Sequence, residues 1–244
     1  MPVRFRLRAP RVEDMLKLHI GNKNYSSWSM RPWVLMAQAG IGFEEVLLRF
    51  DSFDSDSQFK RRATALSPSG TVPVLVDGEL VVWDTLAIAE YLAETFPGHQ
   101  LWPAARDARA LARSVCAQMH IGFGALREHF PMNIEASLAG VGARVLAEQP
   151  AVADDLQRLQ ALWQDLLARH DGPLLFDRFC IADAFFAPVV MRLKTYALPV
   201  TPRVQRYMDA VLALPAVQQW VAGAVAEQDF RPFEEPYRQG RDPR

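Results

Sequence analysis

The sequence predicts an N-terminal α/β domain joined to an all-α helical bundle, and three observations carry that prediction. Val74-Leu75-Val76 and Leu80-Val81-Val82 flank Asp77-Gly78, and an Asp-Gly pair between two β-rich runs is the strongest short hairpin signal. Leu86, Ile88, Ala89 and Leu92 then recur at helical spacing, with Asp84 or Thr85 as the helix cap. Past Phe96-Pro97-Gly98-His99-Gln100-Leu101-Trp102-Pro103, where prolines and a glycine break the pattern, long apolar helical stripes take over.

Residues 1–14 are short and basic and lack the apolar run of a secretory signal. A disordered extension, or a start-site artefact with Met15 opening the domain, is expected. Leu16 to Ile20 reads as the first strand and Gly21-Asn22-Lys23-Asn24 as a loop. Ser29 to Ala39 follows as a helix with Pro32 in its first turn and Gly40 ending it. Glu45 to Phe50 reads as a second strand, Gln58 to Ala65 as a short helix, and Ser67-Pro68-Ser69-Gly70 as a turn. Strand, helix, strand, helix, strand, strand, helix is the order of a thioredoxin-like domain, with a right-handed crossover through its first helix. Pro73 opens a strand, where its missing N–H is tolerated and where cis proline occurs. The expected boundaries are 15–97 for this domain, 98–104 for a linker and 105–244 for the helical domain.

In the second half, Ala108, Leu111, Val115, Met119, Phe123 and Leu126 form one long apolar stripe, and Leu156, Leu159, Leu162, Trp163 and Leu166 another. Thr201-Pro202 and Pro215 mark helix starts. Half the residues are apolar, enough to bury one large core or two modest ones. A net charge of −1 gives no reason to expect nucleic acid or an anionic membrane as partner. Cys116 and Cys180 stand far apart, without metal-ligand or disulfide spacing, so a reducing cytosol and no metal are expected.

Ser67-Pro68-Ser69-Gly70-Thr71-Val72-Pro73-Val74-Leu75, followed by Asp84-Thr85 and Ile88-Ala89-Glu90-Tyr91-Leu92, resembles the glutathione-binding half of the glutathione S-transferase family. Asn24-Tyr25-Ser26-Ser27-Trp28-Ser29-Met30-Arg31-Pro32-Trp33 extends the likeness upstream, and Cys180-Ile181-Ala182-Asp183 resembles the capping box that starts the family's buried core helix. There the first residue is usually Ser or Thr; a thiol accepts poorly, which weakens the cap by about 1 kcal/mol. The resemblance implies glutathione as co-substrate, a homodimer, and a cytoplasmic detoxification enzyme.

Glutathione carries an ammonium and a carboxylate at its γ-glutamyl end. Asp84 suits the ammonium, and the Thr85 hydroxyl and amide, at the positive end of a helix dipole, suit the carboxylate. Thr71, Val72 and Pro73 flank the site, Val72 pairing with the cysteinyl backbone in strand fashion. Asp84 and Thr85 would equally cap their helix. The thiol must become a thiolate, and lowering its pKa by about two units requires roughly 2.7 kcal/mol. Tyr25, Ser26, Ser27 and Ser29 offer hydroxyls at the start of the first helix. Similarity to serine-type members of the zeta and tau classes, whose activating serine lies five residues before a helix arginine, points to Ser26, with Ser27 as alternate. Zeta-like proteins carry a cysteine where this chain has Trp28, which questions a maleylacetoacetate isomerase activity. Disulfide exchange is disfavoured, because no cysteine occupies the activating position.

The stretch from Met119 to Arg127, with Pro131-Met132-Asn133, resembles a bacterial subgroup of the family. It is expected to face the cleft with Met119, Phe123 and Met132 as an apolar wall and His120, Arg127 and Asn133 as polar points, although Met and Phe at this spacing are more often core. The function expected is glutathione transfer to small hydrophobic electrophiles. Glutathione-dependent isomerisation or peroxide reduction is the alternative within the same chemistry, and a non-catalytic binding or interaction module is the alternative in another class.

Overall fold

A computed structural model describes residues 15–241; the expectations for residues 1–14 lie outside the described residues. Four strands, β1 (Leu16–Ile20), β2 (Phe43–Leu47), β3 (Val74–Asp77) and β4 (Leu80–Trp83), form one sheet in the order β2-β1-β3-β4. β1 runs parallel to β2 and antiparallel to β3, and β3 pairs antiparallel with β4 across the Asp77-Gly78 turn, where Gly78 has φ 58°. Helices α1 (Ser27–Ala39), α2 (Gln58–Leu66) and α3 (Thr85–Thr95) complete the thioredoxin-like order. The Val72–Pro73 peptide bond is cis.

β2 lies earlier in the chain than the sequence suggests, at Phe43–Leu47 and not Glu45–Phe50. Its five residues match the five of β1, after which the Phe50 amide turns to the Asn22 side chain (2.8 Å) and the Phe50 ring folds under Gly21. A Cβ on Gly21 would lie 2.1 Å from that ring, so the crossing needs a residue without one. Helix α1 starts two residues earlier than expected, because Ser26 caps it by accepting from the Ser29 amide. Pro32 therefore lies inside the helix and not in its first turn.

α3 ends at Thr95 and the next α-helix begins at Arg106, with only a short turn at Pro97–His99 between them. The helical half comprises α4 (Arg106–Ile121), α5 (Gly124–His129), α6 (Ala139–Glu148), α7 (Pro150–Arg169), α8 (Ile181–Thr195), α9 (Pro202–Leu212) and α10 (Pro215–Glu227). The long stripe expected from Ala108 to Leu126 is broken. Gly122 ends α4, and Phe123, with φ 54°, turns the chain into α5. Thr201 and Leu214 precede Pro202 and Pro215 at the first positions of α9 and α10, but the Thr201 hydroxyl makes no cap bond.

α8 is the axis of the molecule. Almost every residue of it is buried, and α1, α4 and α9 pack on it. One apolar cluster runs from β1 and α1 through α8 to Trp220 of α10, so the halves share a core. At its N-terminus the Cys180 amide donates to Asp183 Oδ2 (3.0 Å), completing the capping box from the acid side, while the thiol takes the Asp183 amide. Burial raises the Asp183 carboxyl to about 6. Among the described residues no single helix is long and apolar enough to cross a membrane. Cys116 and Cys180 are both free and buried, and burial raises both thiols.

Candidate active site

Two adjoining cavities mark the site, the smaller on the N-terminal domain and the larger between that domain and the helical half. The smaller, about 260 Å³, is lined by Trp28, Thr71, Val72, Pro73, Asp84 and Thr85. The larger, about 420 Å³, shares Trp28, Thr71 and Val72 with it and continues to Ser26, Ser27, Arg127, Met132, Arg192 and Glu234. Every residue expected to bind the glutathione backbone lines the smaller cavity, and both expected serines line the larger.

Asp84 sits at φ 73° as the N-cap of α3. Its Oδ1 accepts from the amides of Leu86 (2.8 Å) and Ala87 (3.4 Å), so the capping role read from sequence is built. Its Oδ2 faces His120 Nε2 at 3.2 Å, and the imidazole stacks edge-on against Trp28. His120 therefore belongs beside Asp84 and not to the wall of the larger cavity. The Thr85 hydroxyl accepts from Arg31 (3.4 Å).

At the start of α1, the Ser26 hydroxyl donates to Ser29 Oγ (2.7 Å), which also accepts from the Gly21 amide. Ser27 is placed differently. Its Oγ accepts from the Arg192 guanidinium at 3.0 Å, which leaves its own proton free to donate into the cavity. Tyr25 does neither: its hydroxyl donates to Glu235 (2.8 Å) and accepts from the Arg231 amide (3.1 Å), binding the C-terminal segment to the N-terminal domain. Burial raises this phenol well above its ordinary range.

One guanidinium, Arg192, reaches these serines, and two more lie against the adjacent Trp28. Arg31 stacks on Trp28, 4.1 Å from the ring centroid, with Arg127 5.8 Å from the same ring. Burial, then repulsion from Arg192 and Arg127, pulls the Arg31 guanidinium down to about 9. Burial likewise pulls Arg192 down to about 10, and its hydrogen-bond anchors among the described residues are the carbonyls of Phe130 and Arg127 and the Ser27 hydroxyl. Mutually repelling cations held in a partly dry cleft favour an anion there.

Of the remaining residues expected at the acceptor site, Arg127 and Met132 line the larger cavity. Met119 and Phe123 do not reach it and pack in the shared core. Asn133 is buried in a structural network with Asn24 (3.1 Å) and Glu235 (2.7 Å). In their place the cavity has an aromatic wall of Phe50, Phe53 and Phe59, with Lys60 beside it. Sequence reasoning also missed Arg192 and Glu234. A lone arginine in the apolar run from Phe185 to Leu193 was the available signal for the first; Glu234, in an irregular C-terminal stretch, had none. Among the described residues no group of three or more His, Cys, Asp or Glu side chains could hold a metal ion.

A thioredoxin-like domain with a cis proline and an acid–hydroxyl helix start, set against an α-helical half, defines the glutathione-transferase type of protein. Residues 25–95 match the family model of the glutathione S-transferase N-terminal domain, and residues 133–223 that of the C-terminal domain. Glutathione S-transferase Z1 of Arabidopsis thaliana is 31% identical over 192 residues, covering 73% of this chain and 77% of that protein. Maleylacetoacetate isomerase of Rattus norvegicus is 27% identical over 197 residues, covering 79% and 87%. A glutathione transferase homologue from Burkholderia, solved with bound glutathione, superposes with a TM-score of 0.64 at 27% identity, over 86% of this chain and 98% of that one. The chain belongs to the glutathione S-transferase family.

Proposed function

We propose that this protein binds glutathione across the two cavities, stabilises its thiolate at Ser27, and directs it at a small electrophile in the larger cavity. The observation that carries the reading is the Arg192–Ser27 hydrogen bond, because a hydroxyl that accepts from a guanidinium is polarised and must donate elsewhere. Ser26, whose proton is engaged by Ser29, then serves to shape the helix cap. The γ-glutamyl ammonium meets Asp84, its carboxylate meets Thr85 and Arg31, and the cysteinyl backbone pairs with Val72. Exposed Leu80 and Trp83 on β4 support pairing of two chains in solution.

A second reading, glutathione-dependent isomerisation, is favoured by Arg127, Arg192 and Lys60, which suit a carboxylate-bearing acceptor, and by the isomerase named among the relatives. Trp28 in place of a cysteine weighs against it. Turnover of a chloronitroaromatic acceptor and of an unsaturated dicarboxylate, measured side by side with glutathione, decides between them. Conjugation of the first supports transfer, and cis–trans conversion of the second without net glutathione consumption supports isomerisation. No turnover of either, with glutathione bound, leaves a binding module.

A further inference from the structure

Among the described residues Glu234 is the one carboxylate lining the larger cavity, and the proposed binding of glutathione leaves it without a role. It lies on the C-terminal segment, which is bound to the rest of the protein at several points. Glu235 holds Tyr25 and Asn133, Asp229 pairs with Arg49 (2.6 Å), and Phe233 stacks on Phe53. While its neighbour Glu235 is fully engaged, Glu234 makes no side-chain hydrogen bond among the described residues. Arg192 of α8 and Glu235 on its own segment act on it electrostatically, and Arg127 of α5, Lys60 of α2 and Tyr25 ahead of α1 line the same cavity. Of these only Glu235 is a base by type, and its two oxygens are taken by Tyr25, Asn133 and Arg238. The arginines and Lys60 are cations, with Lys60 bonded to the Gly70 carbonyl (3.1 Å), and the Tyr25 hydroxyl is committed. Asp84 lies in the other cavity, paired with His120.

Resting on the reading that this cleft ionises glutathione, we propose that Glu234 is the proton acceptor for the thiol. The S–H bond breaks with its electron pair left on sulfur, and an O–H bond forms on the Glu234 carboxylate, directly or through one water in the cavity. After the thiolate has attacked and the leaving group has departed with its own electron pair, Glu234 returns the proton to solvent. Burial, reinforced by Glu235 and opposed by Arg192, sets this carboxyl at about 7, where it is ionised and ready to accept just above neutrality.

Two signals measured together test this: ultraviolet absorbance for thiolate formed on mixing with glutathione, and calorimetry in buffers of different ionisation heat for protons released. Near neutrality Glu234 is about half ionised before glutathione binds and the adjacent thiolate charge keeps it protonated afterwards, so the wild type should release about half a proton per thiolate formed, and Glu234→Gln about one. The kcat/KM inflection near neutrality should disappear in Glu234→Gln and persist in Glu234→Asp. Thiolate formed with equal release in wild type and Glu234→Gln would overturn the role of Glu234 alone. Absence of thiolate in the wild type would overturn thiol activation itself, and this assignment with it.

Discussion

Replacing Arg192 with methionine keeps an unbranched apolar stem, shorter by the guanidinium, and removes the charge. The guanidinium nitrogen lies 3.0 Å from Ser27 Oγ, and a thiolate bonded to that hydroxyl sits a further hydrogen-bond length of about 3 Å away. A unit charge at roughly 6 Å, with an effective dielectric near 20, contributes about 2.8 kcal/mol, or about two pKa units. In Arg192→Met the pKa of bound glutathione should rise by about two units, and at pH 7, where the thiolate fraction falls from about three-quarters to about 3%, kcat/KM should fall about 25-fold while glutathione affinity changes by only a few-fold. Folding should suffer less, because the loss of a donor to the Phe130 carbonyl, about 1–3 kcal/mol, is offset by no longer burying a cation. Arg192→Lys, which keeps a charge but cannot reach Ser27 and Phe130 with two separate nitrogens, should fall between. Ultraviolet titration of the bound thiol, with a thermal melt as control, reads both effects. An unshifted pKa in a folded Arg192→Met protein would refute the role given to this cation.

Ser27→Ala should raise the pKa of bound glutathione and lower turnover more than it raises KM, whereas Ser26→Ala should loosen the α1 cap by about 1 kcal/mol and move the thiol less; the same titration on both variants ranks them. Asp84→Ala should weaken glutathione binding about 10- to 100-fold by removing a charged hydrogen bond, measured by calorimetry, and unchanged affinity would take Asp84 out of the site. Tyr25→Phe frees the C-terminal segment from Glu235 and the Arg231 amide, so protease sensitivity near residue 230 should increase while the thiol pKa stays put. Gly21→Ala must displace the Phe50 ring and should destabilise the fold by about 1–3 kcal/mol in a denaturant melt.

The residues that line the smaller cavity were legible in sequence because the chain itself places them. Thr71 to Pro73 and Asp84-Thr85 bracket a hairpin whose register the Asp77-Gly78 turn fixes, so reading the hairpin locates the pocket. The sequence ranks Ser26 above Ser27, and the bond behind the opposite ranking proposed here comes from Arg192, 165 residues away. His120, Met119 and Phe123 share one helical pattern up to Gly122, and that pattern gives no sign that the chain turns there and sends Phe123 into the core. Glu234 reaches the cavity on a segment held by contacts such as Tyr25–Glu235, Asn133–Glu235 and Phe53–Phe233, which join distant parts of the chain and which no local periodicity records.

The central claim is that this cleft holds glutathione as a thiolate. Saturating the wild-type protein with glutathione and titrating the thiolate absorbance from acid to alkaline pH measures it directly. The arrangement of Ser27, Arg192 and the α1 N-terminus predicts a bound thiol about two units below its ordinary value of roughly 8.5. A bound thiol that titrates at the ordinary value, with binding demonstrated in the same samples, would contradict it.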